Sequence, residues 1–502
     1  MADTQQSERE TYRWDDEDVL ADPYPTYARL HASAPVREEP SHGAWHVAGY
    51  EQVLAAIKDE TALRAQIDRS NFLTRWPEAY DEAVIVRKFF DSWMLFKDPP
   101  HHTRIRSLIH RLYSRSHVRR FRPDIERTVG ELLDAAAKRE EIDVVRDYAV
   151  PVSRVALAKL LGASEDDLAE AVRWSDEIAG YMNTEATAET VCRVAPVILE
   201  LKRFAIEFCT RGDLPEDSVA AALGRAYERG VLDENELAAT LTQNITGALA
   251  ALAQFLAHAV LRLLEHPSEL ERLRDDPSLT GNAVEELLRY DCPFLLIVRQ
   301  ATRDIDLDDV TIPRDAFVGL LIGAANRDPH RFPDPDRLDI GRENVQHLAF
   351  GYGGHYCLGA ALSREVGEVA IRALVERFPN MQPVDGAERV PSFGIRWLKT
   401  LPITLEGRPA MAETVSRGED GALVALSDVE RLVAGFVTDL ARRRDEMRSE
   451  LEKIDQLIAE LEARYPSVES RPAVAEAAGD GSSARTESRE PTAYRPRRAT
   501  AA

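Results

Sequence analysis

A glycine-rich segment that contains one cysteine constrains this chain more than any other feature. It reads FGYGGHYCLGAALSREVGEVAI over residues 350–371, and a helical pattern begins just after Cys357. The sulfur therefore lies near unpaired amide N–H groups and the positive end of a helix dipole, and both favour a thiolate. Three glycines remove side chains where a flat ligand would lie close to the backbone, namely Gly351, Gly353 and Gly359. The ordinary alternative is a buried free cysteine in a turn.

The pattern F-G-x-G-x-H-x-C-x-G is complete over the ten positions from Phe350 to Gly359. In this pattern the chain resembles the cytochrome P-450 family. The resemblance implies a mainly α-helical fold with small β-sheet regions, which binds haem b (iron protoporphyrin IX) with Cys357 as the iron ligand. Phe350, Gly351 and Gly359 would contact the cofactor around the sulfur. The implied activity is that of a soluble, bacterial-type monooxygenase that oxidises a small, apolar organic molecule in secondary metabolism.

Three further residues, together with His355 of the same pattern, would bind the haem propionates by resemblance. His102 and Arg106 lie four apart in DPPHHTRIR and share a helix face, and Arg299 enters a strand in LLIVRQATRDIDL. Paired anions need fixed cationic donors, which these side chains would supply. Ordinary surface charge is the alternative interpretation for each of them.

A buried ion network is expected under the cysteine loop. Glu286 and Arg289 lie three apart in EELLRY on one helical face, and by resemblance they would pair with Arg337 of FPDPDRLDI. The role of this network would be structural, because it would hold the scaffold under the haem loop. The same spacing also occurs by chance on surface helices.

The long central helix departs from the family pattern. The family has an A-G-x-acid-Thr segment there, whose carboxylate and hydroxyl deliver protons during oxygen activation. Counting back without gaps from the His-Pro of LLEHP, the matching residues are GALAAL, 247–252, with Ala250 at the acid position and Ala251 at the alcohol position. Neither side chain forms hydrogen bonds, so the usual proton relay is missing.

Three functions are compatible with this departure. In the first, the chain is still an oxidase of small molecules, and a substrate hydroxyl or an ordered water supplies the proton. In the second, it uses peroxide directly or performs radical coupling without inserting an oxygen atom. In the third, it is a non-catalytic scaffold that activates a partner enzyme. The complete cysteine loop favours the first two functions.

The formal net charge is −23, from 63 basic and 86 acidic residues. This excess of acid argues against a nucleic-acid partner, since phosphate neutralisation needs Lys and Arg. Residues 104–122 are an exception, because they contain no acidic residue and seven arginines: Arg104, Arg106, Arg111, Arg115, Arg119, Arg120 and Arg122. By resemblance this basic stretch borders the proximal side of the haem and would dock a ferredoxin-type electron donor. A solvated helix face is the alternative.

The sequence favours a cytoplasmic protein without a membrane contact. The first twenty residues lack the basic start and the apolar stretch of a secretory signal. The most apolar run, 247–264, is broken by Gln254, His258 and Arg262, which suits a buried core helix. The four cysteines form no C-x-x-C pair, so neither a disulfide framework nor a zinc cluster is expected.

Four parts are expected along the chain. Residues 1–408 show no linker-like composition and would form the haem domain, followed by a linker over 409–426. An amphipathic, coiled-coil-like helix is predicted over 427–465. Residues 466–502 contain no Leu, Ile, Phe or Trp and are predicted to be disordered.

The predicted helix over 427–465 has a clear start signal. Ser427 and Glu430 form a capping box, and apolar residues follow at spacings of mostly three or four. Three consecutive arginines, 442–444, interrupt the apolar stripe. The helix would mediate self-association or docking to a partner enzyme, and folding back on the core is the alternative.

Overall fold

The computed structural model describes residues 14, 16–39, 43–67, 73–182, 186–390, 392 and 394–405. Contacts divide the chain into two units, Met1–Pro409 and Ala410–Ala502, and all described residues belong to the first. Three predicted parts lie outside the described residues: the linker over 409–426, the helix over 427–465 and the tail over 466–502.

Helices dominate the described part of the chain. The α-helices are α1 (Glu17–Ala21), α2 (Tyr24–Ser33), α3 (Tyr50–Lys58), α4 (Tyr80–Asp91), α5 (His101–Ile109), α6 (Arg115–Val118), α7 (Arg122–Ala136), α8 (Val150–Leu161), α9 (Glu165–Met182), α10 (Ala188–Thr210), α11 (Val219–Glu228), α12 (Glu234–Glu265), α13 (Pro267–Asp275), α14 (Thr280–Tyr290), α15 (Ile322–Ala325) and α16 (Ala360–Arg377). Short 3-10 helices are Pro77–Ala79, Met94–Phe96, His110–Tyr113, Arg119–Phe121, Pro277–Leu279 and Gly353–His355, and a π-helical segment, Val144–Ala149, precedes α8. The mainly α-helical fold is as predicted.

The strands are short and form small sheets. They are β1 (Val36–Glu38), β2 (Trp45–Val47), β3 (Leu63–Arg64), β4 (Glu141–Asp143), β5 (Leu296–Ala301), β6 (Ile305–Leu307), β7 (Val310–Ile312), β8 (Phe317–Leu321), β9 (Gln382–Pro383), β10 (Glu388–Val390), β11 (Trp397–Thr400) and β12 (Pro402–Thr404). The largest sheet has the order β1-β2-β8-β5-β3, in which only the β2–β8 pair is parallel. The others are the antiparallel sheet β4-β12-β9 and the hairpins β6-β7 and β10-β11.

Helix α12 runs through the core and has 32 residues. It begins at a capping box, in which Asp233 accepts the N–H of Glu236 at 2.8 Å and the Glu236 carboxylate accepts that of Asp233. The helix is long and apolar enough to cross a bilayer, but 72% of its most apolar stretch is buried inside the protein. It is therefore a core helix, which packs against α8, α10 and α16 among others.

Candidate haem site

Cys357 lies at the end of a loop whose backbone is fixed by hydrogen bonding and by glycines. Its N–H donates to the carbonyl oxygen of Phe350 at 2.8 Å. Gly351 and Gly353 have φ angles of 65° and 70°, a left-handed conformation that favours glycine. Helix α16 begins at Ala360, three residues after the cysteine. The structure thus confirms that the cysteine precedes the start of a helix.

Opposing influences act on the Cys357 thiol. Burial raises its pKa, whereas the N–H groups of Gly359 and Ala360 and the charges of Arg106 and Arg364 lower it. The N–H groups at the helix start thus favour a thiolate as expected, but the net pKa of the thiol is raised because burial outweighs them. A bound metal ion deprotonates a coordinating thiol outright, so the same sulfur still suits iron.

Ala250 and Ala251, at the positions where the family has its proton relay, lie in a less buried part of α12. Residues 252–261 are buried, whereas Gly247 is exposed and 248–251 are half-buried. A Cβ atom built on Gly247 would meet no atom of the described residues within 4 Å. This part of α12 is therefore less closely packed against other elements, and neither Ala250 nor Ala251 adds a polar side-chain atom to it.

Three of the four predicted propionate ligands lie together. The ring centroids of His102 and His355 are 4.1 Å apart, and Arg299 lines the same small cavity as His355. The Nε2 atom of His355 is buried and has no hydrogen-bond partner among the described residues. Burial lowers the pKa of both histidines, and the charge of Arg299 helps to bring that of His355 to about 3. An unpaired buried nitrogen close to a guanidinium suits an anion, so these residues fit a haem propionate.

Arg106, the fourth predicted propionate ligand, contacts the cysteine loop. Its Nη2 atom donates to the carbonyl oxygen of Tyr356 at 2.7 Å. Helix α5, which carries both His102 and Arg106, therefore supports the loop directly. Binding of a propionate by Arg106 stays a prediction.

Two carboxylates that sequence reasoning missed, Glu60 and Asp98, line the cavity of Arg299 and His355. Asp98 accepts two backbone N–H groups just after β3, at 2.8 and 3.1 Å. Glu60 accepts the N–H of Gly354 in the cysteine loop. The two anions offset part of the positive charge there. Asp98 stands at the head of DPPHHTRIR and could have been noticed, whereas no sequence signal marks Glu60.

The predicted ion pair of Glu286 and Arg289 is present. Both side chains are fully buried, with Arg289 Nε 2.7 Å from Glu286 Oε2 and Arg289 Nη2 2.9 Å from Oε1. Arg289 also donates to the carbonyl oxygens of Asn326 and Pro335, each at 2.9 Å. These bonds tie α14 to the segment that precedes the cysteine loop.

The third member of this network is Arg342, and the prediction of Arg337 is wrong. The Nε atom of Arg342 lies 3.1 Å from Oε1 of Glu286. Arg337 instead contributes its backbone carbonyl oxygen, which accepts from Arg289 at 3.3 Å and from Arg342 at 3.0 Å. The turn that contains Arg337 thus directs its main chain, and not its guanidinium, to the buried network.

Only some of the arginines in the basic stretch over 104–122 are available to a partner. Four of its arginines are engaged: Arg104 with Glu236, Arg106 with Tyr356, Arg120 with Asp217 at 2.8 Å and Arg122 with Glu365 at 2.6 Å. Arg111, Arg115 and Arg119 are exposed and form no ion pair with any residue that the structure describes. The surface with available positive charge is therefore smaller than the sequence indicates.

Comparison with known proteins agrees with this geometry. The profile of the family described as Cytochrome P450 matches residues 215–395. Biotin biosynthesis cytochrome P450 of Bacillus subtilis (strain 168) is 32% identical over 393 residues, which cover 78% of this chain and 98% of that protein. Cytochrome P450 monooxygenase PikC of Streptomyces venezuelae is 36% identical over 397 residues, which cover 77% of this chain and 92% of PikC.

Solved structures share the fold as well. The crystal structure of P450BioI in complex with hexadec-9Z-enoic acid ligated Acyl Carrier Protein matches with a TM-score of 0.70 and 31% identity. The match covers 78% of this chain and 99% of that chain. Identity above 30% over nearly the whole length of such relatives, together with the shared fold, shows that the chain belongs to the cytochrome P450 family of haem-binding oxidoreductases.

Proposed function

We propose that this P450 oxidises a small, largely apolar organic molecule in the cytoplasm, and that the sulfur of Cys357 would hold its haem iron. The haem, when bound, supplies the activation of oxygen. Its propionates would be bound by His102, Arg106, Arg299 and His355, and its face would contact Phe350, Gly351 and Gly359. The observation that carries the proposal is the cysteine held just before α16. The names of the relatives, which include a biotin-biosynthesis P450 and a monooxygenase, support an oxidation in a biosynthetic pathway.

The proton for oxygen activation would come from a substrate hydroxyl or an ordered water. Ala250 and Ala251 lie in the half-buried part of α12 and have no group that donates a proton. Gly247, one turn earlier, leaves open space for a water or a substrate group. Substrates with a well-placed hydroxyl should therefore be oxidised with less loss of reducing equivalents than substrates without one.

Restoring a hydroxyl at the alcohol position tests this assignment. With ferredoxin, reductase and a substrate that carries no hydroxyl, we expect Ala251→Thr to lower the yield of hydrogen peroxide per NADPH about tenfold, since positioned proton donors contribute roughly 100- to 10,000-fold. Ala251→Val is the matched control, because valine has nearly the volume of threonine but no hydroxyl, and it should leave the yield unchanged. If threonine and valine behave alike, Ala251 is not at the alcohol position.

A peroxide-using enzyme, or one that couples radicals, is the second candidate, and the same two alanines favour it. Such an enzyme needs no stepwise protonation of oxygen. Turnover with hydrogen peroxide that reductase and ferredoxin fail to accelerate would select this candidate. A purely non-catalytic scaffold is disfavoured by the complete cysteine loop.

P450 enzymes use redox partners, and we propose a ferredoxin-type donor that docks at Arg111, Arg115 and Arg119. These three side chains are exposed and have no ion pair within the described part of the chain. An acidic donor would be steered to them over the Debye length, about 8–10 Å at physiological salt.

Replacing all three with alanine should slow reduction of the haem by a ferredoxin about tenfold at low salt, because electrostatic steering raises association rates roughly 10- to 1000-fold. The difference should vanish at high salt. The matched control is the triple alanine variant of Arg173, Arg193 and Arg203, which removes the same charge from α9 and α10. Stopped-flow rates that fall equally in both variants would refute docking at this surface.

The helix predicted over 427–465 remains part of the proposal as a contact for a second copy or a partner enzyme. Its apolar spacing, read from the sequence, is the support. The related P450BioI was crystallised with a fatty-acid-loaded acyl carrier protein, which supports a substrate-carrying protein as a partner of this chain.

A further inference from the structure

Arg364 of α16 is held by a carboxylate that comes from a different helix. Its Nε and Nη2 atoms donate to the two oxygens of Glu285 on α14, at 2.6 and 2.9 Å. This two-point geometry fixes the plane of the guanidinium as well as its position. Side-chain exposure is 34% for Arg364 and 25% for Glu285, so water screens the pair only in part.

The remaining surface of Arg364 contacts the loop that carries Cys357. Its guanidinium carbon lies 4.5 Å from the ring centroid of Phe350, and its Nη1 atom donates to the hydroxyl of Tyr356 at 3.1 Å. Phe350 also accepts the N–H of Cys357 at 2.8 Å, and Tyr356 directly precedes the cysteine. Arg364 therefore contacts the loop on both sides of the sulfur, and its charge acts on that sulfur.

Glu285 has a second partner in the same segment. The Nε2 atom of His347 lies 3.2 Å from Oε2 of Glu285, and the His347 ring is 5.6 Å from the Phe350 ring. Burial alone would raise the pKa of Glu285, but the contact with His347 and the hydrogen bonds from Arg364 outweigh it and lower the pKa to about 2. The carboxylate is thus ionised at neutral pH, and it opposes the field of Arg364.

We propose that Arg364 is a positioning residue that raises the reduction potential of the haem iron through Phe350 and Cys357, and that Glu285 moderates this effect. The proposal rests on the proposed role of Cys357 as the iron ligand. An electron from the redox partner would make the bound haem and its thiolate ligand more negative. A fixed cation nearby stabilises the reduced state, and a fixed anion does the opposite.

The test is a potentiometric titration of the purified, haem-loaded full-length protein. At a fixed applied potential, Arg364→Gln should lower the ferrous-to-ferric ratio about threefold. This corresponds to a fall of about 28 mV in the reduction potential, at 59 mV for each tenfold change in the ratio. Glu285→Gln should raise the ratio by a similar factor, because it leaves Arg364 unbalanced. Arg364→Lys keeps the positive charge, so it should show less than half of the fall in the ratio that removal of the charge causes. This variant keeps the test usable even if Arg364→Gln folds poorly.

The matched control is Arg372→Gln, on the same helix and in an exposed pair with Glu376 at 2.7 Å. It should leave the ratio unchanged. The proposal is overturned if Arg364→Gln and Glu285→Gln shift the ratio in the same direction, as general loosening of the loop would do, or if neither exceeds the control. A wild-type ferrous carbonyl spectrum without the red-shifted Soret band of a thiolate ligand would instead overturn the role of Cys357 itself.

Discussion

Glu286→Ala should sharply lower the yield of folded, haem-loaded protein. The substitution removes the only anion among the three side chains of this network and leaves the fully buried Arg289 and the nearly buried Arg342 without a counter-charge. Breaking a buried ion pair in this way costs about 3–5 kcal/mol. A domain is stable by only roughly 5–15 kcal/mol in total, so soluble yield and the urea midpoint should both fall sharply.

Variants of Arg342 and Arg337 test which of the two side chains belongs to the ion network of Glu286. Arg342→Ala should destabilise the protein by about 1–3 kcal/mol, because it removes one hydrogen-bonded partner of a buried carboxylate. Arg337→Ala should stay within about 0.5 kcal/mol of wild type, since only its backbone carbonyl takes part. Urea unfolding followed by circular dichroism measures both. A larger loss for Arg337→Ala than for Arg342→Ala would show that the side-chain assignment is incorrect.

Arg299→Ala and His355→Ala should each weaken haem binding by about 10- to 150-fold. Hydrogen bonds that involve a charged group contribute roughly 1.5–3 kcal/mol, and here the charged partner would be a propionate in a small, mostly buried cavity. The Cys357 ligand would remain, so the thiolate spectrum of the bound fraction should not change. The measurement is the rate of haem transfer to an excess of a scavenging apoglobin.

Arg303→Ala is the control for haem transfer. Arg303 lies four residues after Arg299 and pairs with Asp59 at 2.8 Å on an exposed part of the surface. Its loss should leave haem transfer at the wild-type rate. Similar rates for the Arg299, His355 and Arg303 variants would mean that the propionates lie elsewhere.

Structural features that depend on a few consecutive residues could be predicted from local sequence patterns. The cysteine loop, its left-handed glycines and the helix after it follow from ten adjacent positions, and the i, i+3 pair of Glu286 and Arg289 follows from one helical turn. The relation of His102 to His355 could be expected only through resemblance, because 253 positions separate them, yet their rings lie 4.1 Å apart.

Pairings between distant segments were harder to predict. Arg337 and Arg342 lie five apart in one irregular segment, where no periodicity shows which side chain turns inward. Arg364 and Glu285 are 79 residues apart and have no shared motif. The burial that raises the pKa of Cys357 could not be predicted either, because it depends on the packed fold and not on the local helix start.

The central claim is that the sulfur of Cys357 binds the iron of a haem, and the ferrous carbonyl spectrum tests it most directly. Wild-type protein supplied with haem should show the strongly red-shifted Soret band of a thiolate ligand, and Cys357→Ala should lose this band. Wild-type protein that binds no haem, or an alanine variant that retains the same band, would contradict the claim.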